Sequence, residues 1–261
     1  MTFKSPEERD RPIFLIVGAA LAAIFLLIAI IVVPSDSRTA ILLFDLAGKL
    51  GTYPFTIQGF MWFLFFVALA DAAYIYLFIG KDLVGLTHHL LPENKSKMVS
   101  VDTARAIYQS ITSDSSPKSA VPFLILKTLD QFFSTRSLSR ANEVFNNAVR
   151  LLSDRNELKF SFIRYVGWLL PTIGFIGTVI GISLALVVAA EPPLEMDGES
   201  MRVWMSLLTG ELGFAFDTTL LALAQSAVIV FIQSQVQTHA DQTLIECEEY
   251  CLDNLINKLL E

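Results

Sequence analysis

The stretch "GELGFAFDTTLLALAQ" places Glu211, Asp217, Thr218, Thr219 and Gln225 in an apolar run long enough to cross a membrane. Carboxylates at membrane depth are costly and normally face a bundle interior or a water-filled path. Glu211, Thr218 and Gln225 are spaced by seven and share one helix face. Asp217 lies about 100° round from Thr218. Two readings of Asp217 stand: a group beside a polar path, or an acid that locks helices together. Glu211 has a bland alternative too, a position at the headgroup level.

A second stretch, "PTIGFIGTVIG", runs from Pro171 to Gly181. Pro171, Gly174, Thr178, Gly181 and Ala185 step by three and four, with Gly177 beside them. Small residues let helices approach closely in lipid, where association relies on packing. Thr178 could return its hydroxyl to the carbonyl one turn back, so its presence costs little. A short acidic turn, "EPPLEMDGES", joins the two stretches as antiparallel neighbours and brings Thr178 and Thr218 to similar depth. Two level hydroxyls beside a small-residue stripe can line a narrow polar passage, or offer a smooth wall for another helix to turn against.

These residues need membrane helices to hold them. The chain has 261 residues, 53% hydrophobic and only 17% charged, with 20 Phe. Soluble domains carry roughly a quarter charged residues. Four apolar runs reach the ~20 residues a span needs: Pro12–Val33, Gly59–Gly80, Tyr165–Ala190 and Met205 to about Gln233. The first is too long for a signal-peptide core. Asp71 interrupts the second, and reads as an interhelical hydrogen bond or a charge near the inner interface.

Lysine and arginine counts set the expected direction. Residues 81–164 hold twelve, against two in 34–58 and one in 191–204. The middle segment and both termini are therefore expected in the cytoplasm. Trp62, Trp168 and Trp204 fall near span ends, where amphipathic rings prefer to sit.

The connection "TAILLFDLAGKL" has helical spacing and predicts a short interfacial helix. Within the cytoplasmic part, one helical pattern covers about Val101–Ser113, and another runs from about Pro122 into the third span. "TSDSSPKS" separates them. "TLIECEEYCLDNLINKLLE" predicts a further amphipathic helix, with Leu244, Cys247, Cys251, Leu255 and Leu259 on one face. Two thiols do not make a disulfide framework. The expected architecture is all-α, with four transmembrane helices and a helical cytoplasmic domain between spans 2 and 3. Its parts are 1–80 (two spans and the outer connection), 81–164 (cytoplasmic), 165–236 (two spans) and 237–261 (C-terminal helix).

Composition excludes several classes. There is no basic, aromatic-interleaved surface for nucleic acid. His88, His89 and His239 lack ligand spacing, and no nucleophile motif or phosphate loop occurs, so neither an enzyme nor a cofactor is expected. A secondary transporter usually shows repeats and broken helices, which are missing here. A non-conducting scaffold remains open, although it has no need of carboxylates at depth.

The paired motifs "PTIGFIGTVIG" and "FAFDTTLLALA", in this order and topology, resemble the MotA/TolQ/ExbB ion-channel subunits. The specific resemblance covers about 165–233. It implies a homopentamer in the bacterial inner membrane, around a dimer of a small single-span protein that carries a membrane Asp. H⁺ or Na⁺ passage would drive rotation or mechanical work. On this resemblance Thr178 and Thr218 line the ion path; Thr219, Asp217 and Glu211 are further ion-pathway candidates from their polarity at depth. Pro171 marks a gating bend, and Gly174, Gly177 and Gly181 serve helix packing or partner contact.

Overall fold

A computed structural model describes residues 6–34, 37–45, 53–87, 90–91, 98–113, 119–193 and 197–259. His88 and His89, residues 92–97 and the centre of "TSDSSPKS" lie outside these residues. The described chain is all-α: α1 Pro6–Val32, α2 Arg38–Phe44, α3 Ile57–Thr87, α4 Val101–Ser113, α5 Ala120–Thr135, α6 Leu138–Lys159, α7 Ser161–Ala190 and α8 Gly198–Asn254, then a 3-10 turn at Ile256–Lys258. Among the described residues, four helical stretches are long and apolar enough to cross a membrane, lying in Asp10–Val32, Ile57–Gly80, Leu138–Ala190 and Gly198–Lys258. The protein is thus multi-pass, with a helical domain between spans 2 and 3.

The chain divides into two compact units. One holds Ala73–Ser161 and Ser234–Glu261 with the first residues of the chain; the other holds Glu7–Ala72 and Phe162–Gln233.

In the first unit, α5 packs on α4 and α6 around Leu124, Leu129, Phe132 and Phe145, all fully buried. The end of α8 completes this core. Its expected apolar face is the one used: Cys247, Cys251 and Leu255 are fully buried, with Leu244 packed beside them. The Tyr250 hydroxyl accepts the Leu91 N–H at 3.0 Å, and Val99 N–H donates to the Lys258 carbonyl at 2.8 Å. Burial, and the Cys247 thiol next to it, push the Cys251 thiol up to about 12.

Two expected boundaries differ. The pattern from Pro122 into the third span is not one helix. Thr135 ends α5, and Arg136 takes a left-handed φ of 51° while its N–H returns to the Phe132 carbonyl. A residue with a Cβ rarely adopts that conformation, so no glycine announced the break. A second break falls at Phe160, whose N–H bonds back to Glu157. Phe160 keeps right-handed backbone angles, so the apolar periodicity passes through it. The C-terminal amphipathic stretch, conversely, is no separate helix. It is the end of α8, which runs 57 residues without interruption.

In the second unit, α1 and α3 form an antiparallel pair. Gly18 lets them approach: a Cβ there would lie 2.7 Å from Ala70 Cβ. Asp71, fully buried, takes a bidentate ion pair from Arg11, with both N–O distances 2.7 Å. Of the two readings of Asp71, the interhelical bond is the one found. The connection between them does contain a helix, α2, capped by Ser37 through a 3.1 Å bond from Ala40 N–H. It stops at Asp45 in the left-handed region. Trp62 Nε1 donates to the Leu43 carbonyl at 2.8 Å, which ties the start of α3 to α2.

Candidate functional site

The sequence makes α7 and α8 neighbours by joining them through a short turn. Asp197 caps α8 by accepting the Ser200 N–H at 2.8 Å, and the bonds from Ser200 hold its carboxyl below the usual range. Trp204 Nε1 donates to the Val188 carbonyl at 2.8 Å and fixes the two helix ends together.

From there the helices run as a close antiparallel seam. On α7 it is built from Gly167, Gly174, Gly177 and Gly181. A Cβ at Gly181 would lie 2.7 Å from Ala215 Cβ, at Gly177 2.6 Å from Thr218 Oγ1, and at Gly174 2.4 Å from Ala222 Cβ. Real Cβ atoms do not come that close, so each glycine is required by the helix opposite. The small-residue stripe therefore faces α8 of the same chain. Gly174, Gly177 and Gly181 are buried there, so in this arrangement they present no surface to another protein's helix.

The closeness brings hydroxyls and backbone carbonyls together. Thr178 Oγ1 hydrogen-bonds Thr219 Oγ1 directly and lies 3.2 Å from the Gly174 carbonyl and 3.1 Å from the Ala215 carbonyl. Thr219 Oγ1 donates across the seam to the Gly174 carbonyl at 3.0 Å. Thr218 Oγ1 donates to Ala215 at 2.9 Å and is fully buried against Gly177. The hydroxyl that meets Thr178 is thus that of Thr219; Thr218 is at similar depth but closes the back of the cluster. Five oxygens share three hydroxyl protons and the two helical N–H donors of Thr178 and Thr219, so acceptor lone pairs still exceed protons. Such a group can hold a cation or a water more readily than an anion.

One heptad along α8 the same geometry returns. Ser226 Oγ donates to the Gly167 carbonyl at 2.8 Å. Thr219 to Ser226 and Gly174 to Gly167 are both seven-residue steps, so these are two rungs of one ladder. The second rung has a special cause. Pro171 lies inside α7 and has no N–H, so it cannot donate to the carbonyl four residues back. That carbonyl belongs to Gly167. The serine of the adjacent helix replaces the missing donor, the remedy membrane helices use around proline.

The remaining residues divide by face. Gln225 is 3% exposed, on the α7-facing stripe with Thr218 and Ala222. Glu211 is half-buried on the same stripe. Asp217 is buried on the adjoining face, in register with Phe214 and Leu221. The sequence reading passed over Ser226 and Gly167. The signal was present: a proline in one span, and a hydroxyl seven residues after Thr219 in its antiparallel neighbour.

A model of the MotA/TolQ/ExbB proton channel family matches residues 119–249, half of the chain. The chain belongs to this family. No curated protein and no solved structure matches it. The matched region takes in α5, α6, α7 and most of α8, and so contains the whole hydroxyl ladder. MotA/TolQ/ExbB proteins are channel components and not catalysts, and among the described residues no three His, Cys, Asp or Glu side chains gather to hold a metal. The Arg11–Asp71 pair lies outside the matched region.

Proposed function

We propose that this MotA/TolQ/ExbB protein is the channel subunit of an ion-driven motor in a bacterial inner membrane. Five copies surround a dimer of a single-span partner, and passage of H⁺ or Na⁺ turns the assembly to do mechanical work. Both termini and the α4–α6 domain face the cytoplasm, in keeping with the twelve basic residues of segment 81–164.

The observation that carries this reading is the proton-poor oxygen cluster of Thr178, Thr219 and Thr218 with the Gly174 and Ala215 carbonyls. Desolvating a cation in the bilayer is prohibitive unless fixed oxygens replace its water. Thr178 and Thr219 are half-buried, so the cluster is reachable, while Thr218 walls it from behind. Asp217 and Glu211 add carboxyl groups to the same span.

The glycines position this cluster by holding α7 against α8. Contact with the partner helix falls to other residues, and a carboxylate on that helix completes the ion's ligands. Purification of the tagged chain from native membranes tests the assembly. The expected result is co-purification of a small single-span protein with an Asp in its span, in a particle of mass five to two. A particle with no second protein would contradict it.

A further inference from the structure

Gln225 is a buried polar group of the α7–α8 seam that the ladder does not use. It is 3% exposed, and neither its amide oxygen nor its amide nitrogen has a hydrogen-bond partner among the described residues. A primary amide offers two donors and an acceptor oxygen, and leaving these unmade in a low-dielectric interior is costly. Its place in the seam follows from the contacts on either side. Gly174 packs on Ala222, and Gly167 on Ile229 and Val230. Gln225 therefore stands level with Pro171, where α7 lacks a backbone N–H and Ser226 already serves the released Gly167 carbonyl. A side chain from another subunit could not reach an amide so enclosed without repacking the helices. A water molecule, the smallest partner that both donates and accepts, needs the least displacement.

We propose that Gln225 is a second polar station: its amide holds a water molecule at the proline level of the α7–α8 seam. It lies one heptad from Thr218, about 10 Å along the helix. The station stands between the Thr178–Thr219 cluster and the end of the spans away from the 191–197 turn. The amide does not ionise, so it orders the water without trapping the ion's charge. The role of the station rests on the channel reading above.

Two measurements test it. The first is cation flux in proteoliposomes holding the chain with its co-purified partner, comparing wild type, Gln225→Met and Thr178→Ala/Thr219→Ala. Methionine keeps the volume and removes the polarity. The expected result is at least a tenfold lower flux for Gln225→Met with unchanged particle size and no fall in unfolding temperature. The second is solid-state NMR of the full chain in lipid bilayers, reading magnetisation transfer from water to Gln225 Nε2. Transfer is expected. Its absence overturns the proposal even if the methionine variant fails to assemble. Near-wild-type flux in an assembled Gln225→Met, beside lost flux in the threonine variant, overturns the station and leaves the channel reading standing. A wild-type complex that passes no cation overturns both.

Discussion

Ser226 Oγ lies 2.8 Å from the Gly167 carbonyl, the carbonyl that Pro171 leaves without its helical donor. The two residues are on different helices and belong to one structural solution. Proline in α7 opens the backbone, and serine in α8 closes it. This makes the pair testable as a unit. Ser226→Ala should destabilise the chain by about 1–3 kcal/mol, the cost of a buried unsatisfied group. In a Pro171→Ala background the helix supplies its own N–H, and the same substitution should cost much less. Unfolding of the four variants in detergent measures the coupling.

The glycine seam gives a graded prediction. Gly177→Val should cost about 1–3 kcal/mol or more through overpacking, because its Cβ would already fall 2.6 Å from Thr218 Oγ1. Gly213→Ala, in the same membrane unit with nothing within 4 Å of the added carbon, should leave the monomer's stability unchanged or raised. Folded yield and thermal unfolding of the two variants separate the outcomes.

For the α1–α3 clasp, Arg11→Leu leaves the fully buried Asp71 without the guanidinium, at about 3–5 kcal/mol, while Asp71→Leu should cost less because Arg11 is 30% exposed. The double substitution Arg11→Leu/Asp71→Leu should recover most of that loss. Detergent unfolding of the cycle is the check, and equal losses in the single and double variants would count against the clasp.

The cysteines report on the C-terminal packing. Cys251 has its thiol raised from 9.0 to about 12 by burial and by Cys247. A folded-state value above the unfolded one means this contribution to stability is full below pH ~9 and is lost as pH rises toward ~12. At pH 8 a maleimide should label neither Cys247 nor Cys251 in the folded chain and both after denaturation, read by mass spectrometry.

How much of this was legible beforehand follows from which physical signals leave a mark on one sequence. The four spans and the α7–α8 pairing are written in apolar length and a short connection. The polar residues at depth stand out because lipid makes them costly. The break at Arg136 left no mark, since a left-handed cap normally announces itself with glycine. Depth brings Thr178 level with both Thr218 and Thr219, and only the rotation of α8 against the glycine seam turns Thr219 toward Thr178. That same seam shows the glycines occupied by α8, where spacing alone allowed either a neighbouring helix or another protein's.

The central claim is that the Thr178–Thr219 cluster carries the ion. Its most direct test is cation flux driven by an imposed H⁺ or Na⁺ gradient, in proteoliposomes of the purified complex with its partner. Thr178→Ala/Thr219→Ala should assemble to the same mass and lose at least nine-tenths of the flux. Undiminished flux in that assembled variant would contradict the account.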